Sequence, residues 1–155
     1  MAAKAGMNFK AYYSATALDS AEAGAGSNKA SDTTWIEIAN IRDNNLNLET
    51  GEADVTTRGN NGWRQTIATL KDGSVEFEMV YNTSDAAFTA IKDAWLAGEV
   101  IALAFMDGAI ATAGSEGLTS NFSVTNFSRS EPLEEAATIS VSVKPAEFTD
   151  WYEAA

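Results

Sequence analysis

Apolar residues recur at helical spacing in one stretch, Ser84–Gly98 (SDAAFTAIKDAWLAG). Phe88, Ile91 and Trp95 follow at i, i+3 and i+7 with Ala87 and Ala94 beside them, while Thr89, Lys92 and Asp93 fall opposite. This spacing predicts an amphipathic helix packed through Phe88, Ile91 and Trp95. Ser84 is the expected N-cap, Asp85 adds negative charge to the first turn, and Gly98 suits the left-handed residue that ends a helix. At about 1.5 Å per residue such a helix covers one sheet and no more.

The rest of the chain alternates with the period of a strand. Expected strands are Asn8–Ala15, Trp35–Ile41, a short piece around Leu46 and Leu48, Trp63–Leu70, Ser74–Tyr81, Glu99–Phe105, Leu118–Arg129 and Thr138–Pro145. Lys71-Asp72-Gly73 reads as a hairpin turn on its Asp-Gly signal, and Asp107-Gly108 as another turn. Glu99–Phe105 is nearly all apolar, which places it centrally. Phe127 is out of phase with Phe122 and Val124, which predicts a bulge. Residues 16–33 and 51–62 are polar, lack periodicity and read as mobile loops. Residues 146–155 form a C-terminal tail that no pattern places, and 131–137 an acidic loop. The expected fold is mainly β, a single domain over residues 1–155: a β-sandwich or barrel with one flanking helix.

Composition removes several functions. Ten basic residues against twenty-two acidic ones leave a net charge of −12, a surface that repels nucleic acid and anionic membrane. The absence of cysteine and histidine removes the thiolate nucleophile and the commonest general base and metal ligand. No apolar run approaches the roughly 20 residues of a membrane span. The start, MAAKAGMNFK, lacks the apolar region of a secretory signal, so a cytoplasmic product is expected. No cofactor or metal is expected.

Candidate chemistry is thin. Asp43, Asn45, Asn47, Glu49 and Asp54 imitate calcium-loop spacing, but the sixth position, which needs glycine, is Leu48. Glu76 with Glu78, and Glu134 with Glu135, are carboxylate pairs such as a glycosidase uses, though an acidic chain contains such pairs by chance. Trp35, Trp63, Trp95 and Trp151 could include a sugar-stacking platform; Trp35 and Trp63 open strands, where aromatics pack. Asn82, Asn121 and Asn126 match the glycosylation pattern, which means little without a secretory signal.

The segment Gly51–Leu70 (GEADVTTRGNNGWRQTIATL), with the KDG turn, the acidic strand VEFEMVYN, the helix SDAAFTAIKDAW and then FSVTNFSRSEPLEEAATISVSVKP, resembles the major tail tube protein of long-tailed bacteriophages and related gene-transfer particles. The resemblance covers about Trp35–Pro145. The aromatic TDWYEAA ending and the long polar stretch at 16–33 depart from it. It implies six copies in a ring, with inner sheets joined into a continuous barrel and rings stacked into a tube around a DNA channel. It also implies that no catalytic residue is needed. Similar proteins use an extended loop at this place to reach the neighbouring ring, which assigns Glu52, Asp54, Val55, Thr56, Thr57, Arg58, Asn60 and Asn61 to inter-ring contact. Glu76 and Glu78, on the acidic side of their strand, are assigned to the lumen. Implied partners are further copies of the chain, tape-measure and tail-terminator proteins, and non-specific contact with transiting DNA; the expected location is the virion tail. A contractile-tail or secretion-system tube, a carbohydrate-binding β-sandwich and a small hydrolase are the alternatives.

Overall fold

A computed structural model describes residues 3–155. After a 3-10 turn at Gly6–Asn8, the elements are β1 (Lys10–Ser14), β2 (Ile36–Glu37), β3 (Ile41–Asp54), β4 (Thr66–Val80), α1 (Ala86–Ala97), β5 (Val100–Met106), β6 (Glu116–Ser130) and β7 (Thr138–Glu153). The strands form one antiparallel sheet in the order β2-β1-β5-β6-β7-β4-β3. The sheet curls on itself: β4 and β5 are separated by two strands, yet the Phe77 and Phe105 rings lie 5.9 Å apart. Residues 38–40 carry the chain from one sheet edge to the other, with Ile38 N–H donating to Ala11 O and Val80 N–H donating to Asn40 O. The result is a nearly closed barrel whose seam runs between β1 and β3.

The inner face is apolar because alternate residues point inward. Val75, Phe77 and Met79 of β4 meet Ile139, Val141 and Val143 of β7, Phe122 of β6 and Leu103 and Phe105 of β5. Helix α1 covers one end of this core, with Ala87, Phe88 and Ile91 buried. Asp85, not Ser84, is the N-cap, its carboxylate accepting from Phe88 N–H at 3.0 Å. Gly98 ends the helix at φ 69°. Trp95 has the right angular position but is 45% exposed, since in the last turn its indole finds only the Phe127 ring, stacked at 6.3 Å. β5 is buried on both faces, as its apolar run implies.

Four expectations change. Trp35–Ile41 yields only the two-residue β2, because the rest of it crosses between edges. Lys71-Asp72-Gly73 does not turn; β4 continues through it, paired with β3 by Lys71↔Thr50, Asp72↔Glu49 and Gly73↔Leu48. Gly73 sits close against its neighbours, since a Cβ there would meet Leu48 Cδ2 at 3.0 Å, and Leu48 would have to shift slightly to admit it. Residues 146–153, left without an element, belong to β7 and pair with β6. The polar stretch 16–33 is packed: Leu18, Ser20 and Ala30 are buried, and fully buried Asn121 clamps Leu18, its Nδ2 donating to Leu18 O and its Oδ1 accepting from Leu18 N–H, both at 2.8 Å. Replacing Asn121 by Ala leaves those two backbone groups unpartnered at a cost of about 1–3 kcal/mol each. The expected result is faster proteolytic cleavage within 16–33 and a lower melting temperature; unchanged values for both would show that the clamp contributes nothing.

Candidate assembly surfaces

The sheet forks at Gly73. Above it β4 pairs with β7, from Val75↔Val143 to Val80↔Thr138. Below it β4 keeps only β3 and leaves with it as a two-stranded arm, while β7 stays with β6. From the fork to the last rung, Asp54↔Thr66, the arm runs roughly 20 Å at about 3.3 Å per residue. The polar stretch assigned to inter-ring contact therefore divides: Glu52 and Asp54 lie in β3, and Val55, Thr56, Thr57, Arg58, Asn60 and Asn61 form the tip.

The tip is organised by local polar bonds. Asp54 Oδ1 accepts from Thr56 N–H at 2.8 Å, and hydrogen bonds from Thr56 hold this carboxyl below its usual range. A carboxyl lowered in the folded state contributes stability above its ordinary pKa, and that contribution fades as pH falls through the lowered one. Asn60 accepts at Oδ1 from Thr57 N–H at 2.5 Å, and its carbonyl accepts from Trp63 N–H at 3.0 Å. Asn61 and Gly62 take the left-handed region, φ 53° and 81°. Trp63, expected to pack at a strand start, instead precedes β4 and is 74% exposed. Ile67 and Leu70 are also exposed along the arm. Period-two reasoning missed these three, because it assumes that a large apolar residue has a core beneath it.

The outer face of the sheet is divided. Over β1 and β5, Tyr12, Ala104 and Met106 are covered by Trp35, Ile110 and Tyr152. Over β4 and β7 the face carries Glu76, Glu78, Ser140, Ser142 and Lys144, all exposed or half-buried, opposite the apolar Val75, Phe77 and Met79. Glu78 has Arg42 at 3.7 Å. This bare polar strip is flanked by β3, whose other edge pairs with no strand in the described chain. A free edge of this length invites pairing with another chain. Behind it, at the seam, lies a cleft of about 740 Å³ lined by Phe9, Ala11, Ile41, Leu46, Phe105 and Trp151, among others.

The calcium-like series Asp43–Asp54 lies along β3, an extended strand that spreads these side chains along its length and does not wrap them around an ion. No group of three metal-binding side chains occurs among the described residues, and no helix among them is long and apolar enough to cross a membrane. Asp107 closes the loop between β5 and β6. It accepts from Lys4 Nζ at 2.8 Å and Glu116 N–H at 3.0 Å, which hold it below the usual carboxylate range.

A curled sheet with an open edge, a projecting arm and a bare polar strip leaves backbone and side-chain hydrogen-bonding groups free at its surface. The chain belongs to the phage tail tube protein family, whose model matches residues 24–146. Its fold is similar to a protein in the virion of a native gene transfer agent particle, with 14% identity over 97% of this chain and 99% of the other and a TM-score of 0.70. It is also similar to a protein in the tail of an empty gene transfer agent particle of C6 symmetry, with 17% identity over 97% and 99% and a TM-score of 0.69. A third is the SPP1 tail tube, with 17% identity over 97% and 81% and a TM-score of 0.68. No curated protein matches the chain.

Proposed function

We propose that this chain is the repeating subunit of a virion tail tube, assembling as six-membered rings stacked around a channel that conducts DNA. The observation that carries the reading, beside family membership, is the unpaired edge of β3 next to the bare polar strip. In a ring, β3 of one copy pairs with the sheet of its neighbour. The polar strips then form the inner wall, and the arms reach the next ring through Glu52, Asp54 and the tip. A wall of hydroxyls and carboxylates with only the ammonium of Lys144 among them holds a polyanion weakly, so the duplex slides. Tape-measure and tail-terminator proteins are the further partners this role requires, and the host bacterial cytoplasm is the place of assembly. Negative-stain electron microscopy and sedimentation of the purified chain test the reading: rings or tubes are expected, and a monomer at high concentration would overturn it.

The lumen assignment has its own test. Glu76→Lys with Glu78→Lys is expected to leave rings intact and to make them bind duplex DNA, with affinity falling steeply as salt rises. Rings of the double variant that ignore DNA at low salt would place these side chains away from the channel.

A further inference from the structure

The arm tip is basic in an acidic protein. Residues 55–65 contain Arg58 and Arg64 and no acid, in a chain of net charge −12. Neither arginine has an ion-pair partner among the described residues, and Trp63 beside them is 74% exposed. The tip thus carries one exposed indole and two arginines without an ion-pair partner among the described residues.

A groove that fits it lies at the other end of the molecule. Between α1 and the adjoining ends of β1 and β5 is a space of about 560 Å³, walled on the helix side by Ala86, Ala90, Ala94 and Ala97. Asp93 and Glu99 line it as well, both exposed and without an ion-pair partner among the described residues. The walls are mostly alanine methyls, with the Thr89 and Ser14 hydroxyls among them, and the space has room for an aromatic ring. The strand directions set the two features apart. β4 runs from the tip toward Val80 and into α1, and β5 leaves α1 at Val100 and runs back. Copies stacked head to tail therefore bring the tip of one to the helix end of the next.

We propose that the groove receives the arm tip of a second copy in the adjacent ring, with Trp63 seated among the alanines and Arg58 and Arg64 facing Asp93 and Glu99. This rests on the tube reading above and names the surface on which the arm lands. A buried Trp supplies the area, and the charges set orientation and exclude the wrong register. Each copy gives one tip and one groove, a head-to-tail contact that does not close on itself and so propagates along an axis.

Charge reversal tests the pairing. Arg58→Glu with Arg64→Glu, or Asp93→Lys with Glu99→Lys, is expected to leave rings while cutting tube yield about tenfold or more. All four changes in one chain restore tubes, because tip and groove are again complementary. Tubes are counted by electron microscopy and sedimentation, with circular dichroism confirming the fold. If a reversal unfolds the chain, Asp93→Asn with Glu99→Gln is used, which is expected to give a smaller loss of tubes at equal stability. Unchanged tube yield in the reversals or in the milder pair, or no rescue by the combined variant, would overturn the proposal while leaving the tube reading intact. A wild-type chain that forms no rings would instead remove the reading beneath it.

Discussion

A chain whose residues 55–65 are replaced by Asn-Gly is expected to fold, to close into rings and to stop there. The last rung of the arm is Asp54↔Thr66, and Asn-Gly is the favoured two-residue link between antiparallel strands. The replacement removes no core residue, because Val55 is 42% and Trp63 74% exposed. Its melting temperature should stay within a few degrees of wild type, since the hydrogen bonds lost are exposed ones. Stacking loses the only part of the arm with an indole and two free cations. Electron micrographs decide the matter: tubes of normal length would show that stacking uses another surface, and a chain that no longer folds would make the tip structural.

Phe122→Ala is expected to be the most damaging single truncation. Phe122 is fully buried and meets Phe105 edge-on at 5.5 Å. Losing a ring at such a site costs about 3–5 kcal/mol, out of a total that for one domain is about 5–15 kcal/mol. Trp95→Ala, by contrast, removes a half-exposed indole held by one stacked ring, and about 1–2 kcal/mol is expected. Thermal melts of dilute, dissociated subunits compare the two. Equal losses would mean that α1 docks through its last turn as firmly as the barrel packs its centre.

What the sequence made legible follows from burial. The helix was readable because Phe88 and Ile91 lie on one stripe over a single core, and β5 because both its faces are covered. The arm was legible only in part: Trp63–Leu70 and the piece around Leu46 and Leu48 read as strands, but Leu48, Ile67 and Leu70 are exposed, and nothing in their pattern showed that they have no core beneath them. Asp72-Gly73 misled because the pair is a strong local turn signal, whereas here both residues stay in the ladder, opposite Glu49 and Leu48. The end of β7 escaped notice because Phe148 takes a left-handed φ of 54° beside a register shift, which breaks the period. Asn121 could not be foreseen at all, since its partner Leu18 is 103 residues away. The assembly assignment of the 51–62 segment came from resemblance rather than periodicity, and Trp63 and Arg64, which the proposed docking uses, lie just past its boundary.

One strand, β4, carries the arm, crosses the fork and then lies in the wall that bears Glu76 and Glu78. In the proposed tube a pull on the tip divides between β3 and β4, and above Gly73 it passes from β4 into β7 across their ladder. Such a load stretches the ladder bonds in parallel, so that they yield together and not one after another. Peeling β3 outward would break them singly, at far lower force. A tube joined through these strands is expected to be stiff in tension and to fail first by sideways bending at its seams.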